Sequence, residues 1–136
     1  MNFVPIQKRD RAKQLVSFEG MEVGENMWPT DIDAIIEWKD SAWIMYEVKH
    51  GKAPFPTGQR LVLERFVHDE WKAGKPAVAV VVEHQVDDPE EDVRLAQCPV
   101  RLVYWGGEFV WREPYRPMKA GELNGEYIRF VERLSA

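Results

Sequence analysis

Hydrophobic and polar positions alternate most clearly over two neighbouring stretches, Asp31–Trp38 and Ala42–Lys49, separated by the polar break Lys39-Asp40-Ser41. A period of two in residues rich in Ile, Val, Trp and Tyr predicts strands. The three-residue break predicts a hairpin loop. Pairing the strands across it sets Ile32, Ala34, Ile36 and Trp38 opposite Val48, Tyr46, Ile44 and Ala42, a wholly apolar face suited to a core. The other face sets Asp33 opposite Glu47 and Asp31 opposite Lys49. A slip of one residue would change every facing pair.

Downstream, Leu63, Phe66, Val67 and Trp71 recur at helical spacing and predict a helix to about Ala73, which Thr57 can cap. Gln59 points the same way as Leu63, Arg60 and Glu64 form an exposed pair one turn apart, and His68 falls on the outer face. Ala77–Val82 is continuously apolar, as in a strand covered on both faces, and Glu83 and His84 close it. Strand, helix and strand in this order predict a right-handed crossover beside the hairpin. Val100–Tyr104 and Glu108–Trp111 read as a second hairpin across Gly106-Gly107. Glu122–Leu134 reads as a terminal helix with Tyr127, Phe130, Val131 and Leu134 inward. At the start, Lys8–Val16 suits a helix and Ser17–Val23 alternates weakly enough for a first strand. The pattern predicts an α/β fold on a central mixed sheet, in a single domain over residues 1–136.

The face with opposed acids carries the chemistry. Like charges directly opposite destabilise a sheet, and Asp33 against Glu47 is such a pair. A cation resolves the conflict, because facing Cβ atoms stand only about 4.5–5.5 Å apart. Mg²⁺ binds carboxylate oxygens and keeps waters and substrate phosphates as its other ligands. Lys49, two residues beyond Glu47, shares its face. Two acids and an ammonium on one surface suit metal-assisted hydrolysis of a phosphodiester.

Asp33, followed on the next strand by Glu47-Val48-Lys49, resembles the metal-dependent nucleases of the PD-(D/E)XK superfamily. Gln59, opening the following helix, resembles the glutamine many members carry there. The string PTDIDAIIEW…EVKHGK…GQRLVLERF, followed by VVVEH, is similar to small phage and prophage members, over about residues 18–84. The resemblance implies a restriction-endonuclease-like αβββαβ core, here followed by a hairpin and helix. It implies that Asp33, Glu47 and the Val48 carbonyl hold Mg²⁺ or Mn²⁺, that Lys49 and Gln59 complete the catalytic set, and that DNA is the substrate. Asp31 is a second candidate for the motif aspartate, and otherwise a supporting residue. Glu19, Glu22 and Glu25 are candidates for the extra acid that some members supply, with Glu19 as the supporting residue. Structure-specific cleavage, as in the junction resolvases of the superfamily, would imply a homodimer. The rival reading is a catalytically idle module of this fold that binds nucleic acid or a host protein.

Composition narrows this picture. The net charge of −5 is not that of a general nucleic-acid binder, so any DNA contact must be local and aided by metal. Candidate contacts are Arg11 and Lys13 on the first helix, which reads more readily as a solvated face than as a phosphate-contacting arm, with His50, Lys52 and Arg60 near the acids. The acidic loop Asp87–Asp92 should point away from substrate. His84 reads as a structural strand-end residue or a substrate contact. Tyr104, Trp105, Phe109 and Trp111 suit a core or dimer surface better than a base-stacking platform. Cys98 is the only cysteine, which leaves no intrachain disulfide or Cys-based zinc site and suggests a buried, inert thiol. No apolar run approaches the roughly 18 residues of a membrane span, and Met1–Asp10 lacks a signal-peptide pattern. The expectation is a cytoplasmic protein, in the host cytoplasm if phage-encoded.

Overall fold

The computed structural model describes residues 17–25, 27 and 29–135. The chain divides into two units, Met1–Thr30 and Asp31–Ala136. The helix expected over Lys8–Val16, with Arg11 and Lys13, lies outside the described residues. In the first unit Ser17–Val23 forms no strand. Gly20 and Gly24 take left-handed φ values of 84° and 63°, and the Met21 N–H closes a turn onto the Phe18 carbonyl at 2.9 Å. Chain reversal at these glycines overrides the weak alternation.

The second unit runs β1 (Ala34–Trp38), β2 (Ala42–His50), α1 (Thr57–Lys72), β3 (Ala77–His84), a 3₁₀ turn (Leu95–Gln97), β4 (Val100–Trp105), β5 (Val110–Arg112) and α2 (Ala120–Leu134). The five strands form one mixed sheet in the order β1-β2-β3-β4-β5. Only β2 and β3 are parallel, joined through α1 as the crossover pattern requires. The first hairpin has the expected register: Ala34 faces Tyr46, Ile36 faces Ile44 and Trp38 faces Ala42. Lys39 and Asp40 take left-handed φ values of 48° and 58° to close it.

Alternation along the strands builds a core on each side of the sheet. Ile44, Tyr46, Val80 and Val82 pack with Leu123, Tyr127 and Val131 of α2. Met45 and Ala79 pack with Leu63 and Val67 of α1 and with Tyr104. Burying each large aliphatic side chain contributes about 1.5–3 kcal/mol, so both helices are held chiefly by these faces. The buried Tyr46 hydroxyl is satisfied by the Ala120 carbonyl at 3.2 Å and by Asn124. Trp71 donates its indole N–H to the Ala77 carbonyl at 2.9 Å. A Cβ at Gly106 would stand 1.7 Å from that indole nitrogen, so the second hairpin turns where only glycine fits.

Several expectations are corrected. Among the described residues the order is ββαβββα, so the first strand of the expected αβββαβ core is not formed. The first hairpin strand begins at Ala34 rather than Asp31. With the ladder ended, Ile32 packs in the α1-side core instead of beside Ala34 and Ile36. Thr57 makes no capping bond; it is the first helical residue, after an extended Pro56. His68 is not on the outer face: its Nε2 lies 2.7 Å from the Tyr104 hydroxyl and its ring stacks on Phe109. Leu134, expected inward, is exposed at the end of α2. Cys98, by contrast, is buried as expected, and desolvation pushes its thiol pKa up. Among the described residues no helix is long and apolar enough to cross a membrane.

Candidate functional site

Glu47 and Lys49 alternate with the buried Tyr46 and the half-buried Val48 near the end of β2, which puts both on the α1 side of the sheet. The chain then turns through Gly51 and the prolines at 54 and 56, and α1 begins at Thr57. This short connection sets the first turn of α1 beside the end of β2. Lys49 Nζ stands 3.2 Å from Glu47 Oε1 and donates to Gln59 Oε1 at 2.9 Å. Three residues expected to act together are therefore in one hydrogen-bonded chain. Glu47 is only 6% exposed and is the one buried charged residue among those described. Such a residue is tolerated only with a partner, and Lys49 supplies it.

Asp33 enters differently from the expected ladder pair. The β1–β2 ladder stops at Ala34 and Tyr46, and Asp33 Oδ2 accepts the Val48 N–H at 2.7 Å. The aspartate side chain thus caps the hairpin edge, and it is not a ladder partner of Glu47. Its charge still reaches the glutamate. Burial first, and then the negative charge of Asp33, push the Glu47 carboxyl above the usual carboxylate range; Lys49 offsets part of this and Asp31 adds to it. Negative charge is thus accumulated beyond what one ammonium neutralises. Asp31, expected opposite Lys49, precedes β1 and pairs in no ladder.

The remaining candidates separate from this cluster. His50 has the opposite parity on β2, and its Nε2 lies 2.8 Å from Asp87 Oδ1. The acidic loop expected to point away thus begins at the end of β2. Arg60 is exposed and pairs with Glu64 at 3.5 Å, as expected; Glu64 also accepts the Trp111 indole N–H at 2.9 Å. Lys52 is exposed. His84 Nδ1 accepts the Val86 N–H at 3.1 Å, a structural role. Glu19 lies in the first unit, exposed, its N–H bonded to Ser17 Oγ at 3.0 Å. Sequence reasoning overlooked Glu83, which the parallel register places beside Lys49, half-buried and on the same face. Its only signal was its position at the close of the β3 run.

As a metal centre the cluster offers the carboxylates of Asp33 and Glu47, each with one oxygen already engaged. Among the described residues no group of three or more His, Cys, Asp or Glu is placed to hold an ion. Two carboxylates fit a hydrated Mg²⁺, which takes one or two from protein and the rest of its shell from water and phosphate. The excess charge around the raised Glu47 is what such an ion would neutralise. No family model, curated protein or solved structure matches the chain.

Proposed function

We propose that the chain is a divalent-metal-dependent nuclease of the PD-(D/E)XK kind that hydrolyses DNA phosphodiester bonds. The observation that carries the reading is the hydrogen-bonded chain Glu47–Lys49–Gln59 beside two further carboxylates, on one face at the end of β2. The order supports it: aspartate at the head of β1, a hairpin, Glu-x-Lys on β2, glutamine in the first turn of α1, and a parallel β3.

Asp33 and Glu47, with the Val48 carbonyl, would hold Mg²⁺ or Mn²⁺. A bound ion would supply Lewis-acid polarisation of the scissile phosphate. Asp33 is oriented by its bond from the Val48 N–H, so its free oxygen is presented at a fixed place. Lys49 would orient the attacking water and offset negative charge that grows on the phosphate. Gln59 accepts a second bond from the ammonium that pairs with Glu47, and would keep it aimed when Glu47 turns to an ion. Asp31 deepens the negative field.

A second reading, an idle nuclease-fold module that binds nucleic acid or protein, is favoured by the absence of a three-ligand group among the described residues and by the net charge of −5. Incubating the purified protein with single-stranded, duplex and branched DNA, in Mg²⁺, in Mn²⁺ and in EDTA, separates the two. Metal-dependent cutting of any substrate supports the nuclease, and binding without cutting supports the module.

A further inference from the structure

The ladder between β3 and β4 has an irregularity at Arg101. Val81 faces Leu102 and Val82 faces Val100, so Arg101 is an extra residue on β4. A bulge of this kind re-aims a side chain, and such bulges gather next to active sites. Here the guanidinium is sent towards the end of β2, where its Nη1 donates to the Ala53 carbonyl at 2.8 Å. Ala53 lies in the connection that joins Lys49 to Gln59. Phe55, two residues further on, packs in the α1-side core, so this connection runs along the face that carries Glu47 and Lys49.

Arg101 is also unmatched in charge. Among the described residues, the half-buried lysines and arginines are Lys49, Lys75 and Arg101. Lys49 pairs with Glu47 and Lys75 with Asp40, whereas Arg101 has no carboxylate partner among the described residues. Glu83, on the strand between Lys49 and Arg101, forms an ion pair with neither. A guanidinium carries five N–H donors in a fixed fork, and the bond to Ala53 uses one of them. Among the described residues the Tyr127 hydroxyl is the one sealed side-chain polar atom without a partner, so the free donors of Arg101 open to solvent. Tethering a loop needs no charge, whereas an open guanidinium fork matches the paired oxygens of a phosphate. Lys52, next to Ala53, is exposed and adds a second positive charge at the same connection. The Cα of Arg101 stands two strands from that of Lys49, about 10 Å at ordinary strand spacing, which suits a phosphate beside the scissile one.

We infer that Arg101 binds a backbone phosphate of the substrate DNA next to the scissile one. The inference rests on the nuclease reading of the Glu47–Lys49–Gln59 cluster and names a contact that holds its substrate.

The test is fluorescence anisotropy of labelled single-stranded, duplex and branched DNA in Mn²⁺, with the full chain carrying Lys49→Ala so that the DNA stays intact. Adding Arg101→Gln should weaken the best-bound DNA about tenfold and make the slope of log K against log salt shallower by about 0.7–0.9, the value of one phosphate contact. Arg101→Lys keeps the charge and should keep the slope. If Arg101→Gln fails to fold, the parent is read instead: bound DNA should slow modification of Arg101 by phenylglyoxal at least fivefold, measured by peptide mass spectrometry. Three outcomes overturn the inference: an unchanged slope in folded Arg101→Gln, which would leave Arg101 as a loop tether; equal modification with and without DNA; or no DNA binding by the parent. Cleavage by wild type in Mn²⁺ separates this from the nuclease reading. Wild type that cuts nothing removes that reading, while a shallower slope still puts Arg101 on a phosphate. Wild type that cuts, with the slope unchanged by Arg101→Gln, keeps the nuclease and removes Arg101 from its substrate.

Discussion

Asp33 Oδ2 takes the Val48 N–H at 2.7 Å, one residue beyond the last β1–β2 ladder pair. A carboxylate replaces a backbone carbonyl as the acceptor for that N–H. The same contact ends the strand and fixes a negative group beside Glu47. Structure and candidate chemistry can therefore be separated by substitution. Asp33→Asn keeps an acceptor oxygen and should leave stability almost unchanged. Asp33→Ala loses the bond and should cost about 1 kcal/mol. Both should lose most of the melting-temperature gain produced by Mn²⁺, and Asp31→Asn should keep most of it. Thermal denaturation with and without Mn²⁺ reads all three.

Glu47 makes a signed prediction for pH. Its folded pKa is raised by burial and by Asp33. Its contribution to stability is therefore fully present below the ordinary glutamate pKa and is lost as pH rises through the raised value. Without metal, wild type should lose stability relative to Glu47→Gln across that window, and Glu47→Gln should be as stable or more so at neutral pH. Paired chemical denaturation curves at several pH values check this. A difference that grows in favour of wild type as pH rises would mean that the Lys49 pair outweighs burial.

Gln59→Ala should leave Mn²⁺ binding nearly intact while slowing cleavage about 10–100-fold, the usual effect of removing a group that orients the acting residue. Calorimetry of the metal and single-turnover rates on one DNA substrate separate these effects.

Gly106→Ala should destabilise the fold by about 2 kcal/mol, the scale of core overpacking. The new methyl group would meet the Trp71 indole at 1.7 Å and displace it from the Ala77 carbonyl. Equilibrium urea unfolding reads the loss.

Much of the second unit was legible because its signals are local. The polar break at Lys39–Ser41 and the flanking alternation are enough to set Ala34 opposite Tyr46, since a three-residue loop fixes the pairing and a slip of one residue would take Ile36 and Ile44 off their common apolar face. The unbroken Ala77–Val82 run could only be covered on both sides. Lys49 and Gln59 met because a strand end and the next helix start are joined by a short connection. What failed depended on partners distant in sequence or on side chains replacing backbone. Ile32 continues the alternation, yet Asp33 bonds Val48 and ends the strand before it. His68 sits at a polar helical position, yet Tyr104 and Phe109 arrive from the second hairpin to cover it. Glu83 gains its place beside Lys49 only from the parallel register.

The most direct measurement of the central claim is cleavage of single-stranded, duplex and branched DNA by wild type and Lys49→Ala side by side, in Mn²⁺ and in EDTA, with Mn²⁺ melts of both proteins alongside. An ammonium does not ligate a cation, so Lys49→Ala should keep the Mn²⁺ shift of wild type. The account predicts that wild type cuts at least one substrate in Mn²⁺ and none in EDTA, and that Lys49→Ala cuts none. Wild type that cuts nothing in Mn²⁺, or Lys49→Ala that cuts as fast as wild type, would contradict it.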